Sequence, residues 1–162
     1  MIAPFRLKSN DLERKKKMLK GIPKIISPDL LKYLSEMGHS DRLVIADGNF
    51  PAASFAKNSK LIRMDGHNVP EILDAILQIF PLDTYVDSPV TLMEKVPGDT
   101  VETPIWDEFE KIVSKYDERG KNAVSHMERF EFYDAAKTSY LIIATTEAAL
   151  YANVMLQKGV IK

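Results

Sequence analysis

The sequence predicts an α/β fold: a single three-layer αβα domain with a central sheet of about six strands. Three observations lead there. Segments with helically spaced apolar residues alternate with short apolar runs, the pattern that stacks helices on both faces of a sheet. Leu43-Val44-Ile45-Ala46 is a continuous apolar run, the mark of a strand covered on both faces, and Tyr140 to Thr145 is also very apolar. At 162 residues and 45 % hydrophobic, the chain is long enough to bury one real core.

Ser27-Pro28-Asp29 starts the first helix. Ser27 is the N-cap, Pro28 takes the first helical position and Asp29 sits at the positive end. Leu30, Leu31, Leu34 and Met37 follow at helical spacing, and Gly38 is expected to supply the C-cap conformation. A strand over about Arg42 to Ala46 runs into the loop Asp47-Gly48-Asn49-Phe50-Pro51, where Pro51 holds Phe50 out of the helical region. Ala52 to Lys57 reads as a short helical turn, and Leu61 to Met64 as a second strand closed by Asp65-Gly66. Val69-Pro70-Glu71 opens a helix with Ile72, Leu73, Ile76, Leu77 and Phe80 on its inner face, and Pro81 follows its end. Pro89 to Val96 is the third expected strand, turned by Pro97-Gly98-Asp99. A longer helix begins at Pro104, carries Trp106, Phe109, Ile112, Val113 and Tyr116, and stops near Gly120. The remaining expectations are a strand at Ala123 to Glu128, a helix at Phe130 to Thr138, and strands at Tyr140 to Thr145 and Asn153 to Gln157.

Composition narrows the function. Net charge is −1, so no basic field gathers phosphate, which argues against nucleic acid and anionic membranes as partners. There is no cysteine, hence no disulfide frame and no thiolate chemistry, which suits a reducing cytoplasm. No apolar run approaches the roughly 18 residues that cross a bilayer. Residues 1–17 end in Arg14-Lys15-Lys16-Lys17, lack the apolar centre of a secretory signal and precede a second methionine, Met18. They are expected to be a disordered leader of expression-vector origin, with the domain spanning 18–162; a native basic arm is the alternative.

His39 and Asp47 bracket the first strand, and both can handle protons. His39 has a plain reading as a histidine that caps a helix C-terminus. Its sharper reading is an acid or base that titrates near neutral pH. Asp47 either caps the next turn or sits at a pocket mouth. His67 and His126 lack the close spacing of zinc motifs, so no metal site is expected. Nucleophile elbows, dinucleotide fingerprints and phosphate loops are absent, so no cofactor is expected either. The Trp106 and Phe109 stripe reads as core rather than ligand platform. Arg129-Phe130-Glu131-Phe132-Tyr133 and Tyr151-Ala152-Asn153 are left open by composition.

These segments, together with Leu-Ser-Glu-Met-Gly-His ending at His39, Asp47-Gly48-Asn49-Phe50-Pro51, Arg63-Met64-Asp65-Gly66, Glu128 and Lys158-Gly159-Val160, resemble the ribose pyranase and fucose mutarotase family (RbsD/FucU) in order and separation, from Met18 to Lys162. The resemblance implies an RbsD-like fold and an isomerase that opens and recloses the ring of a free monosaccharide. It implies His39 as the proton donor, and Asp47, Arg129, Tyr151, Ala152 and Asn153 as residues lining the sugar site. Asn49-Phe50-Pro51 looks like the branch that interconverts the α and β anomers of L-fucose; ribose pyranases tend to carry Gly-Leu-Pro there. Met64 and Thr146 depart from the commoner Ala and Gly, and they leave the sugar preference open. A homo-oligomer, commonly a decamer of stacked rings with pockets at subunit contacts, is also implied. The competing readings are a D-ribose pyranase and a non-catalytic sugar-binding module on the same fold. Mutarotation asks for a group that protonates the ring oxygen and another that accepts the anomeric proton. General acid–base help of that kind is worth about 10² to 10⁴-fold.

Overall fold

The strand at Arg42–Ala46 (β1) sends Leu43 and Ile45 to one face of a sheet and Val44 and Ala46 to the other, as the two-residue period of a strand demands. All four are fully buried, so both faces are covered. In chain order the elements of this computed structural model, which describes residues 19–162, are α1 (Pro28–Glu36), β1, α2 (Ala52–Phe55), β2 (Lys60–Met64), α3 (Val69–Leu77), β3 (Val90–Met93), α4 (Pro104–Tyr116), a 3₁₀ turn (Gly120–Ala123), β4 (Val124–Met127), α5 (Arg129–Lys137), β5 (Leu141–Thr145) and β6 (Val154–Gln157). The leader expected at residues 1–17 lies outside the described residues.

The six strands form one sheet in the order β2-β5-β1-β6-β3-β4. β6 runs antiparallel to β1 and β3, and every other pairing is parallel. One face is packed by α1, α3 and α4, whose Leu30, Leu34, Ile72, Leu73, Phe109 and Val113 cover Leu43, Ile45, Leu141 and Ile143. The opposite face is packed by α2 and α5, where Phe50, Ala52, Phe132 and Ala136 cover Val44, Ala46, Ile142 and Met155. The three-layer αβα arrangement with six strands is therefore the observed one.

Local departures have physical reasons. Ser27 caps α1 as expected, its Oγ accepting the Leu30 N–H at 3.2 Å. Gly38 does not supply the left-handed cap. Met37 is extended, the Gly38 N–H donates to Asp41 Oδ2 at 2.7 Å, and the positive φ falls on Ser40 at 69°. The Asp41 carboxylate thus closes the turn that a glycine cap would otherwise make. β3 stops at Met93 rather than Val96, because the Val96 N–H leaves the sheet and points to the Tyr151 hydroxyl at 3.4 Å. α5 starts at Arg129, one residue early, because the Glu128 carboxylate accepts the N–H groups of Phe130 (2.7 Å) and Glu131 (3.2 Å).

This topology gives the sheet two chemically distinct ends. The C-terminal ends of the five parallel-oriented strands and the start of β6 meet at one end, bringing Asp47, Met93, Arg129 and Tyr151 to Asn153 together. The residues before β1 and β3 and those after β6 meet at the other, bringing together His39, Asp83 and Lys158.

Candidate active site

Asp47 leaves β1 beside the start of β6, where their antiparallel pairing brings Asn153 alongside. The two side chains are tied reciprocally: Asn153 Nδ2 donates to Asp47 Oδ2 at 2.9 Å, and Asn153 Oδ1 accepts the Asp47 N–H at 2.9 Å. The Ala152 N–H (3.3 Å) also reaches Oδ2, and the Asn49 N–H (3.0 Å) reaches Oδ1. Asp47 is 5 % exposed. Burial pushes its carboxyl above the ordinary range, and the donors from Asn49, Ala152, Asn153 and Phe50 only partly offset that. Gly48 follows because its backbone passes Glu147: a Cβ there would stand 3.1 Å from the Glu147 carbonyl oxygen.

Tyr151 holds a left-handed backbone, φ 57°, which a side-chain-bearing residue keeps only when its surroundings over-determine it. Two contacts do so. The Trp106 Nε1–H donates to the Tyr151 carbonyl at 2.9 Å, and the Tyr151 hydroxyl donates to Asp99 Oδ2. That hydrogen bond raises the Tyr151 phenol and lowers the Asp99 carboxyl. Arg129 is half-buried, its guanidinium carbon lies 4.6 Å from the centre of the Phe130 ring, and its buried Nε has no partner among the described residues. Asp47, Asn49, Asp99, Arg129, Tyr151 and Asn153 line a cavity of about 200 Å³, whose remaining wall is Phe50, Met93, Tyr133 and Leu150. Ala152 is buried outside that lining; its contribution is the N–H that holds Asp47.

His39 is not in this cavity. It lies before β1 and Asp47 lies after it, so the strand alone separates them by about 13 Å, four steps of strand rise. At its own end of the sheet, the His39 Nε2 is 3.0 Å from Asp83 Oδ2, and its ring lies 5.4 Å from that of Tyr85. Asp83 is buried, whereas the His39 side chain is 42 % exposed. The peptide before Asp83 lies against Gly159, where a Cβ would stand 2.4 Å from the Leu82 carbonyl oxygen; only glycine admits that approach.

Of the six residues implied by the resemblance, the structure brings together Asp47, Arg129, Tyr151, Ala152 and Asn153, and sets His39 apart. It adds Asp99 at the cavity and Asp83 beside His39. Asp99 sits in a Pro-Gly-Asp turn, so its residue type was already accounted for by the turn; Asp83 comes two residues after Pro81 with no periodic signal around it. Trp106 packs against the core as expected but also anchors the Tyr151 peptide. His67 pairs with Glu71 and His126 packs on Trp106, both away from the cavity. Among the described residues, no three His, Asp or Glu side chains converge as a metal site would require.

The model of the RbsD / FucU transport protein family matches residues 20–161. Among curated proteins, the chain is similar to the fucose mutarotase of Mus musculus, with 46 % identity over 145 residues, 87 % of this chain and 94 % of that protein. Among solved structures, it is similar to FucU from Bifidobacterium longum, at 64 % identity and a TM-score of 0.87, over 88 % of this chain and 100 % of that one. It is similar as well to the fucose mutarotase of Streptococcus pneumoniae solved in complex with L-fucose, at 48 % identity and a TM-score of 0.81, over 89 % and 100 % of the two chains. With a family model that spans nearly all the described residues, and relatives this similar over nearly their whole lengths, the chain belongs to the RbsD / FucU transport protein family.

Proposed function

We propose that this protein is an L-fucose mutarotase, a cytoplasmic isomerase that interconverts the α and β anomers of the free sugar. The observation that carries this reading is the cavity at the end of β1. Its lining combines Asp47, Asn153 and Arg129, which suit hydroxyl groups, with the apolar side chains of Phe50, Met93 and Leu150. Fucose is a hexose with a methyl group in place of one hydroxymethyl, so it needs both kinds of surface. Ribose has no methyl to place there.

In the proposed reaction, His39 donates a proton to the ring oxygen as the bond from that oxygen to the anomeric carbon breaks. A carboxylate accepts the anomeric hydroxyl proton, leaving a neutral open aldehyde. Rotation about the adjacent carbon–carbon bond and reclosure with the protons returned give the other anomer. Asp47 suits that role better than Tyr151, the other proton-handling group on its side of the site: burial raises the proton affinity of Asp47, while the Tyr151 hydroxyl is engaged by Asp99. Arg129, with no carboxylate partner among the described residues, is available to hold a sugar hydroxyl.

His39 and Asp47 lie at opposite ends of one sheet, so for both to act on one sugar they must come from different copies of the chain. A contact that joins one end of a protomer to the other end of the next is heterologous, and repeated contacts of that kind form a ring when the rotation between copies closes. The exposed apolar side chains of Tyr85 beside His39, and of Phe130 and Leu150 at the cavity end, support such a contact. We accordingly propose a homo-oligomer of ring type, a decamer of stacked rings, with each site shared between neighbours.

The test is anomer exchange measured by saturation-transfer NMR on L-fucose. His39→Gln is expected to slow enzyme-dependent exchange by about 10²-fold or more. Exchange at the wild-type rate in that variant would refute the assignment, and exchange on D-ribose in preference to L-fucose would refute the choice of sugar.

A further inference from the structure

The acidic group behind His39 is not used by the reaction just described. Asp83 is almost wholly buried, yet its carboxylate is fully engaged. Oδ2 faces both His39 Nε2 (3.0 Å) and Gln157 Nε2, which donates at 2.9 Å, and Oδ1 accepts the Tyr85 N–H at 2.9 Å. The segment carrying it is pinned from three sides. The Asp83 N–H donates to the Gln157 carbonyl (3.1 Å), Arg119 Nη2 donates to the Asp83 carbonyl (3.0 Å), and the adjoining peptide packs on Gly159. Burial by itself raises this carboxyl, but the hydrogen bonds from Tyr85, Gln157 and His39 outweigh it and hold the group below the ordinary range. Asp83 is thus an ionised acceptor with a fixed position and no surface left for a sugar.

We propose that Asp83 is the positioning residue for His39: by accepting the Nε2–H it fixes the imidazole tautomer, so that Nδ1 is the atom that carries the reactive proton to and from the sugar. A carboxylate can only accept, so the nitrogen facing it must bear hydrogen in the neutral ring as well as in the charged one. The other nitrogen then gains and loses its proton in each turnover. The buried carboxylate also stops the ring from turning, leaving its half-exposed side free to face a partner surface. The inference rests on the reading of His39 as the acid, but the tautomer can be observed independently of catalysis.

The experiment is nitrogen–proton correlation NMR of the imidazole side chains of the full-length protein, with His39 assigned by loss of its signals in His39→Gln. In the wild type at alkaline pH, Nε2 is expected to be protonated and Nδ1 bare. Asp83→Asn should invert this. Its amide oxygen remains opposite the Tyr85 N–H, and its amide nitrogen donates one hydrogen to the Gln157 amide, turned over to present its oxygen, and the other to His39, which then must accept at Nε2 and carry its hydrogen on Nδ1. In a Ser-His-Asp triad, the same Asp→Asn change inverts the histidine and costs about 10⁴-fold. Here, exchange at saturating fucose is expected to fall at least 10²-fold while half-saturation by fucose shifts by only a few-fold. A neutral wild-type ring protonated at Nδ1 would overturn the proposal and leave the mutarotase reading standing. Undiminished exchange in Asp83→Asn would overturn it as well. Wild-type exchange in His39→Gln would instead strike the reading of His39 as the acid. The wild-type spectrum decides the tautomer even if Asp83→Asn fails to fold.

Discussion

At the scale of single residues, the fold keeps two buried carboxylates in opposite electrostatic conditions. Around Asp47, burial dominates and the proton is held more tightly; around Asp83, the donors dominate and it is held less tightly. The signs follow by linkage. Asp47 binds its proton more tightly folded than unfolded, so it costs stability as pH rises from the ordinary 3.8 through its raised folded value. Asp83 contributes stability that is present above 3.8 and is lost as pH falls through its lowered folded value. Carboxyl-carbon NMR titrations should therefore find Asp47 above and Asp83 below the ordinary value, and the reverse order would contradict both assignments. The Asp47–Asn153 pair permits a second expectation. Asn153→Ala removes a buried donor from an already buried carboxylate, which costs about 2–3 kcal/mol. Denaturant unfolding at neutral pH should show that loss, and exchange on fucose should fall with it because Asp47 is no longer held.

At the scale of elements, what positions each half of the site is the irregular chain between strands. Such chain needs clamps, since it has no ladder of its own. Trp106 on α4 clamps the Tyr151 peptide, and Arg119, just beyond α4, clamps the chain before β3. Arg119 donates to the carbonyls of Asp83 and Val86 (2.7 Å for the latter) while pairing with Asp117 at 2.7 Å. Arg119→Ala should destabilise the fold by about 2–3 kcal/mol, because charged donors to two backbone carbonyls are lost. Amide hydrogen exchange at Tyr85 should accelerate more than at β5. Equal protection of Tyr85 in variant and wild type would show that the clamp is idle.

At the scale of the whole molecule, the proposed reaction asks one sugar to meet two groups, His39 and Asp47, that the sheet holds at opposite ends of a single chain. A shared site has a consequence that a self-contained one lacks. His39→Gln and Asp47→Asn should each be inactive alone. When the two are denatured together and refolded, random assortment should leave about one site in four with both groups intact. Recovered fucose exchange in the mixture, absent from either parent, is the expected outcome. A mixture as inactive as its parents would show that His39 and Asp47 do not meet from different copies of the chain.

Much of this was legible in the residues themselves. Strand faces follow from a two-residue period, and the uninterrupted run at Leu43 to Ala46 could only be a strand covered on both sides. Local caps such as Ser27 were readable because they act within a few residues. Asp83, Gln157 and Asp99 were not readable, because each is defined by a partner 44 to 74 positions away in the chain. The sequence alone determined that a histidine and an aspartate flank one buried strand. Only the tertiary structure decided what stands beside each, Asn153 and Arg129 at the Asp47 end of the sheet and Asp83 at the His39 end, since neighbours across a sheet are set by long-range pairing and not by the residues at a strand's ends.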